Sequence, residues 1–277
     1  HTTFRVGGEA DYFVLPKTKE EVKKIVDICR EYEMPYYILG NGSNLLVGDK
    51  GYRGVIIQIY KEMNGIQVEG DKIKVQAGAL LSKIGALALN AELTGFEFAA
   101  GIPGTVGGAV VMNAGAYGGE TKDILEDATV LTPEGEVLVL KNEELNLGYR
   151  TSIVKEKDYI VLAATIALKK GEKEAIKVRM DELKVQRTTK QPLEFPSAGS
   201  TFKRPEGYFA GKLIQDAGLR GFKVGGAQVS EKHCGFVINT GDATAADVLE
   251  LINQVSAIVK EKFGVELEPE VKKLGEF

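Results

Sequence analysis

The residues with the clearest chemical meaning are small and uncharged. From Ala100 to Gly119 the chain reads AGIPGTVGGAVVMNAGAYGG, with glycine at Gly101, Gly104, Gly107, Gly108, Gly115, Gly118 and Gly119 and no charged side chain. A solvated loop of this length would be polar. A helix or strand would lose roughly 0.5–1 kcal/mol for each interior glycine relative to alanine. The remaining use is backbone that something else approaches closely, and the missing charges suit a flat, largely apolar ligand. Tight turns between buried strands would give the same composition.

A second cluster, Gly40-Asn41-Gly42-Ser43-Asn44, follows the apolar run Tyr36–Leu39. Backbone and short side-chain donors at a strand end make a nest suited to phosphate. No Lys-Ser/Thr pair follows, and Gly-x-Gly-x-x-Gly is incomplete, so neither a Walker loop nor a Rossmann fingerprint is present. An Asn-Gly hairpin turn explains these residues equally well. A third cluster, Ser197 to Pro205, sets the Ser200 hydroxyl near the cations Lys203 and Arg204.

The elements that must position these clusters read as α+β. Strand character over Asp11–Pro16 precedes a helix capped by Thr18, with Val22, Ile25, Val26 and Cys29 at helical spacing. From Gly54 to Leu168 the pattern is mostly strands: Gly54–Ile59, Gly65–Val68, Lys72–Val75, Ala128–Leu131, Glu136–Leu140 and Tyr159–Leu162. One helix, from Ser82 to about Leu93, breaks that run. Helices are then expected over Glu172–Arg187, Phe209–Ala217 and Thr244–Phe263, the last closed by Gly264, and the tail Val265–Val271 reads as extended. Three consecutive segments are expected: 1–53, an αβ piece; 54–170, mostly β with the glycine-rich stretch; and 171–277.

With 277 residues, 44% hydrophobic and 27% charged, the chain has an ordinary globular composition. A net charge of −4 leaves no polybasic footprint for nucleic acid. No apolar run nears the ~20 residues of a membrane span. Cys29 and Cys234 have neither metal-site nor disulfide spacing, which fits a reducing cytoplasm. The first residue is His1 rather than Met, so residues are expected to precede it. A monomer is expected, since no coiled-coil pattern stands out.

Taken together, five motifs in order resemble the UDP-N-acetylenolpyruvoylglucosamine reductase family. They are Leu39–Leu46, Gly101–Tyr117, Gly148-Tyr-Arg-Thr-Ser152, Ala198-Gly-Ser-Thr-Phe-Lys203 and Leu267-Glu-Pro-Glu-Val271, and they cover nearly the whole chain. The resemblance implies a vanillyl-alcohol-oxidase (PCMH)-type FAD fold in two subdomains plus a C-terminal α+β substrate domain. It implies FAD as cofactor, NADPH as co-substrate, and reduction of an enolpyruvyl ether to a D-lactyl ether in peptidoglycan precursor synthesis. Hydride would reach C3 of the enolpyruvyl group from flavin N5, and a proton would reach C2.

Carried over motif by motif, Arg150 and Glu270 would sit at the substrate carboxylate and Ser200 would deliver the proton. A guanidinium suits a carboxylate whose charge grows in the transition state. Glu270 beside an anion must hold a proton or a hydrogen bond to Arg150. Lys203 is a candidate to assist Ser200. FAD contacts are expected from Leu39, Gly40, Asn41, Gly42, Ser43, Asn44, Gly101, Ile102, Pro103, Gly104, Thr105, Gly107, Gly108, Ala114 and Gly115. Tyr149, Lys190, Lys203, Arg204 and His233 are expected at the sugar nucleotide. No metal is implied. No long insertion stands near Ser200, as in the shorter branch of the family, which lacks a lid.

Two competing readings stand beside this one. An oxidase of the same fold could bond flavin covalently, but only His1, His233, Cys29 and Cys234 could do so and none lies in the glycine-rich stretch, so FAD is expected to be non-covalent. A non-catalytic nucleotide-binding module would need the fold without Arg150, Ser200 and Glu270 together.

Overall fold

A computed structural model describes residues 1–277. The chain forms two compact units, neither continuous in sequence. The first comprises Tyr12–Asn41 and Gly54–Arg187; the second comprises His1–Asp11, Gly42–Arg53 and Thr188–Phe277. Residues 42–53, expected with the first αβ segment, therefore group by contact with the C-terminal part of the chain.

In the first unit, the helix Lys19–Glu31 starts where Thr18 accepts a hydrogen bond from the Glu21 N–H at 3.2 Å. Glu20 and Glu21 complement the positive end of its dipole, and Val22, Val26 and Cys29 turn one face into the core. A three-stranded sheet runs in the order Ala10–Val14, Tyr52–Gln58, Tyr36–Leu39, and its last two strands are parallel with Tyr36 opposite Val55. A five-stranded antiparallel sheet has the order Val137–Lys141, Leu125–Leu131, Ile160–Ala167, Lys72–Gln76, Ile66–Glu69. Its alternating strands bury Ile73, Val75, Ala128, Val130, Leu162 and Ala164 in one core with Val22, Ile57 and Val110.

The glycine-rich stretch differs from its reading in sequence. It contains a helix, Val106–Met112, started by Thr105, whose hydroxyl accepts from the Gly108 N–H at 3.5 Å. Burial of Val106, Ala109 and Val110 outweighs the propensity cost of two glycines. Gly107 lets this helix approach Ala77, whose carbonyl accepts the Gly107 N–H at 2.8 Å, and a Cβ on Gly119 would meet the Phe98 ring at 2.6 Å. Part of the glycine content thus serves internal packing. Gly108 is different: it faces solvent, and a Cβ there would meet only the Thr105 hydroxyl, at 3.8 Å.

In the second unit, the helix Ala245–Phe263 packs Val248, Leu251, Ile252, Val255 and Val259 into the core. Thr244 and Asp247 form a capping box, and the Asp49 carboxylate accepts the Ala245 and Ala246 N–H groups at 2.8 and 2.9 Å. Gly264 ends the helix in the left-handed conformation at φ 70°. A three-stranded antiparallel sheet, Lys223–Val224, Ala227–Val229, Val237–Asn239, lies against it. Beyond the extended tail, Lys272–Leu274 forms a strand parallel to Leu45–Val47, with Lys272 opposite Leu45. No helix is long and apolar enough to cross a membrane.

Candidate functional site

The candidate residues fall into sets within each unit. In the second unit, Ser200 is exposed and follows Gly199, whose φ is 76°. Its neighbour Thr201 is fully buried and acts as an anchor. The Thr201 N–H donates to the Gly235 carbonyl at 2.8 Å, its hydroxyl accepts the Val237 N–H at 2.9 Å, and its carbonyl accepts the Glu270 N–H at 2.8 Å. Phe202 pairs with Pro269 as an isolated bridge. The Ser200 and Glu270 segments therefore lie side by side. Asn44 joins them: its side-chain amide donates to the Glu270 carbonyl at 3.3 Å, and its own carbonyl accepts the Lys272 N–H at 3.0 Å. The Gly42 carbonyl accepts the Thr3 N–H at 3.1 Å, with Ser43 between Gly42 and Asn44.

The cations of this unit have different surroundings. Lys203 forms an ion pair with Glu268, and its backbone N–H donates to the Glu268 carbonyl at 2.8 Å. The Arg204 guanidinium stacks 4.0 Å from the Phe209 ring centroid. Lys190, exposed at the end of the helix Lys173–Lys190, adds positive charge in the neighbourhood of His233. Burial holds the His233 imidazole below its ordinary 6.5, and Lys190 adds to that effect. His233 Nδ1 accepts the Gly235 N–H at 3.1 Å, so a neutral ring carries its proton on Nε2 and presents a donor there.

In the first unit, Leu39 is the buried last residue of its strand, and its carbonyl accepts the Ile59 N–H at 2.8 Å. The carbonyl of Gly40 accepts from the buried Gln58 side chain at 3.1 Å, and Asn41 closes this stretch of the unit. A Cβ on Gly40 would lie 2.6 Å from the Thr105 hydroxyl, so only glycine lets the 40-loop sit against the start of the helix Val106–Met112. Gly101 and Pro103 are exposed, Ile102 is tied back to the Ala99 carbonyl at 2.9 Å, and the Gly104 carbonyl accepts the Leu81 N–H at 3.2 Å. Ala114 closes the helix by donating to the Ala109 carbonyl at 2.9 Å, and Gly115 pairs with Glu120 in a short hairpin.

Arg150 sits in a tight turn in which Gly148 and Thr151 exchange hydrogen bonds at 3.1 and 3.3 Å. Its φ is 56°, and its guanidinium lies 5.4 Å from the Tyr149 ring centroid. Two features were not singled out from sequence. Asn113, after the helix Val106–Met112, anchors the turn before Arg150 through the Gly148 carbonyl at 3.1 Å. An Asn ending an apolar helical run is a recognisable left-handed cap signal, which the glycine content obscured. Arg187 packs beside Gly101, with side-chain atoms 3.5–3.6 Å from where a Cβ would stand. Burial pulls the Arg187 pKa downward, against an opposing effect of Tyr117.

The uncharged exposed surface at Gly101, Pro103 and Gly108, the Thr105 hydroxyl and the close seat of Gly40 fit a flat cofactor with a polar phosphate end. Residues 10–141 match the family model described as FAD binding domain. Residues 191–274 match the model described as UDP-N-acetylenolpyruvoylglucosamine reductase, C-terminal domain. A UDP-N-acetylenolpyruvoylglucosamine reductase of Lachnoclostridium phytofermentans is 58% identical over 280 residues, covering 100% of this chain and 90% of that protein. One of Caldanaerobacter subterraneus is 55% identical over 276 residues, covering 100% and 91%. The crystal structure of UDP-N-acetylenolpyruvylglucosamine reductase from Thermus caldophilus superposes with a TM-score of 0.85 at 41% identity, covering 99% of this chain and 95% of that one.

Fold and site together define an FAD-dependent oxidoreductase with a PCMH-type FAD-binding domain and a separate C-terminal domain. The chain belongs to the UDP-N-acetylenolpyruvoylglucosamine reductase family.

Proposed function

We propose how this chain's residues carry out its family's reaction, the NADPH-dependent reduction of UDP-N-acetylglucosamine enolpyruvate to UDP-N-acetylmuramate in peptidoglycan precursor synthesis. When bound, FAD supplies the hydride chemistry that links NADPH to the enolpyruvyl group. Gly40, Asn41, Gly42, Ser43 and Asn44, with the backbone from Gly101 to Gly108 and Ala114–Gly115, hold it without a covalent bond. The main-chain donors of those segments serve its diphosphate.

Arg150 pairs with the substrate carboxylate. As C3 gains hydride, negative charge spreads from C2 onto that carboxylate, and a fixed guanidinium stabilises it most at that moment. Ser200 delivers the proton to C2 from a segment held rigid by Thr201. Glu270, carried beside Ser200, is assigned to the same substrate group as a hydrogen-bonding carboxyl. Tyr149, Lys190, Lys203, Arg204 and His233 hold the sugar nucleotide; a neutral His233 donates from Nε2, whereas the lysines act as diffuse positive charge for the diphosphate.

The observation that carries these roles is the pairing of the Ser200 and Glu270 segments, with Glu270 N–H on the Thr201 carbonyl at 2.8 Å. It supports the reading because a proton donor and a carboxyl from distant parts of the chain share one local frame. The test is a visible spectrum of the purified protein under anaerobic conditions. NADPH should bleach the flavin band, and the enolpyruvyl sugar nucleotide should restore it. A flavin that NADPH never reduces would overturn the proposal and favour a binding module.

A further inference from the structure

Asn113 ends the helix Val106–Met112 in the left-handed conformation at φ 44°, and it is only 2% exposed. Glycine is the common residue at such an end because it takes this conformation freely. Asparagine tolerates it and brings a side chain. Here that side chain has three partners. Its Nδ2 donates to the Gly148 carbonyl at 3.1 Å and to Glu120 Oε2 at 3.0 Å, while its Oδ1 accepts the Lys122 N–H at 2.9 Å.

Gly148 opens the turn that presents Arg150. At the other end of that turn, the fully buried Ser152 hydroxyl donates to the Val111 carbonyl at 2.8 Å. The turn is thus fastened on both sides to the end of one helix, at residues 111 and 113. Arg150 itself has φ 56°, a conformation that a non-glycine residue keeps only when its surroundings over-determine it. Glu120 shares the same Asn113 amide as Gly148. The Lys122 hydrogen bond, then that of Asn113, keeps its carboxyl below the usual carboxylate range, and Arg150 contributes in the same direction.

We infer that Asn113 and Glu120 are positioning residues for Arg150: Asn113 fixes the turn that aims the guanidinium, and Glu120, itself ion-paired with Lys122 at 2.9 Å, holds the Asn113 amide in place. This rests on the reading of Arg150 as the carboxylate partner. Removing the Asn113 amide should let Arg150 wander and weaken stabilisation of the growing charge. Removing the Glu120 charge should loosen its hold on the Asn113 amide and leave the turn less well aimed.

The experiment uses FAD-loaded enzyme and the variants Arg150→Ala, Asn113→Ala, Arg150→Ala with Asn113→Ala, and Glu120→Gln. Calorimetry measures sugar-nucleotide binding to the oxidised protein, and anaerobic stopped flow follows the two half-reactions separately. Asn113→Ala should slow flavin reoxidation by substrate on the order of 10²-fold, as misplacement by about an ångström does, with reduction by NADPH affected far less. The double variant should be no slower than Arg150→Ala, because the two act as one unit. Glu120→Gln, which loses the Lys122 ion pair that fixes the carboxyl against Asn113, should slow reoxidation in the same direction as Asn113→Ala, with sugar-nucleotide binding and reduction by NADPH affected far less, a split that simple loss of stability does not produce.

Effects of Asn113→Ala and Arg150→Ala that multiply in the double variant would overturn the inference, as would Glu120→Gln behaving as wild type. A slow Arg150→Ala beside a wild-type Asn113→Ala would sink the inference alone. A wild-type rate in Arg150→Ala would remove the assigned role of Arg150, and the inference with it. Should Asn113→Ala fail to fold, Glu120→Gln decides.

Discussion

Glu270 donates its backbone N–H to the Thr201 carbonyl at 2.8 Å, so the carboxyl at position 270 and the hydroxyl at position 200 are carried by adjacent extended segments. Thr201 is fully buried and holds both sides of this arrangement. The proton-donor role proposed for Ser200 would gain from such an anchor, because a group held in place loses little entropy on reaching its working geometry.

Ser200→Ala should leave flavin reduction by NADPH intact while slowing reoxidation by the enolpyruvyl sugar nucleotide by about 10²–10⁴-fold, the range for a lost general acid. Anaerobic stopped flow on each half-reaction checks it. Equal loss of both would assign Ser200 a structural part instead.

Gly40→Ala places a methyl group 2.6 Å from the Thr105 hydroxyl. Relief requires the 40-loop or the start of the helix Val106–Met112 to move, at a cost of about 1–3 kcal/mol for overpacking. The expected outcome is a lower melting temperature together with reduced FAD content after gel filtration. Gly108→Ala, which meets only the Thr105 hydroxyl at 3.8 Å and removes a helical glycine, should fold with stability raised by up to about 1 kcal/mol in the flavin-free state but take up FAD more weakly.

Thr244→Ala removes half of the capping box on the helix Ala245–Phe263 and should cost about 1 kcal/mol, seen as a lower urea midpoint with an unchanged slope. The Thr244 N–H, above all, holds Asp247 below its ordinary 3.8. A depressed carboxyl contributes stability that is present above the unfolded value and lost as pH falls through the folded one. Asp247→Asn should therefore flatten stability against pH in the window just below 3.8.

His233 gives the opposite chemistry with the same direction in pH. Its folded value lies below the ordinary 6.5, so below that pH the unfolded chain binds a proton that the folded chain refuses. Stability should decline as pH drops through and below 6.5, and His233→Gln should remove that part of the decline. Denaturant titrations of both proteins at pH 7.5, 6.5 and 5.5, values chosen to span this range, test it; parallel profiles would refute it.

Elements with strong local signals were legible in the sequence. Thr18 and Thr244 announce their helices, the apolar spacing of Val248, Leu251, Ile252, Val255 and Val259 marks the buried face, and Gly264 marks the end. The helix Val106–Met112 was not legible, because glycine propensity argues against it and the burial that overrides propensity is a tertiary effect. Asn113 went unnoticed for the same reason. Ser200, Arg150 and Glu270 carry no individual signal: each type is common on surfaces, and only their place within long motifs singled them out. The neighbourhood of Ser200 and Glu270 depends on a non-local bridge that no local pattern encodes.

The parallel pairing of Leu45–Val47 with Lys272–Leu274 has a consequence for synthesis in the cell. A polypeptide leaves the ribosome from its N-terminus, so the earlier strand emerges long before its partner exists. At about 5–20 residues per second that wait is on the order of tens of seconds. Throughout it the apolar side chains of Leu45 and Leu46, fully covered at completion, lack their strand partner, and the nascent chain offers a place where a chaperone would be of use.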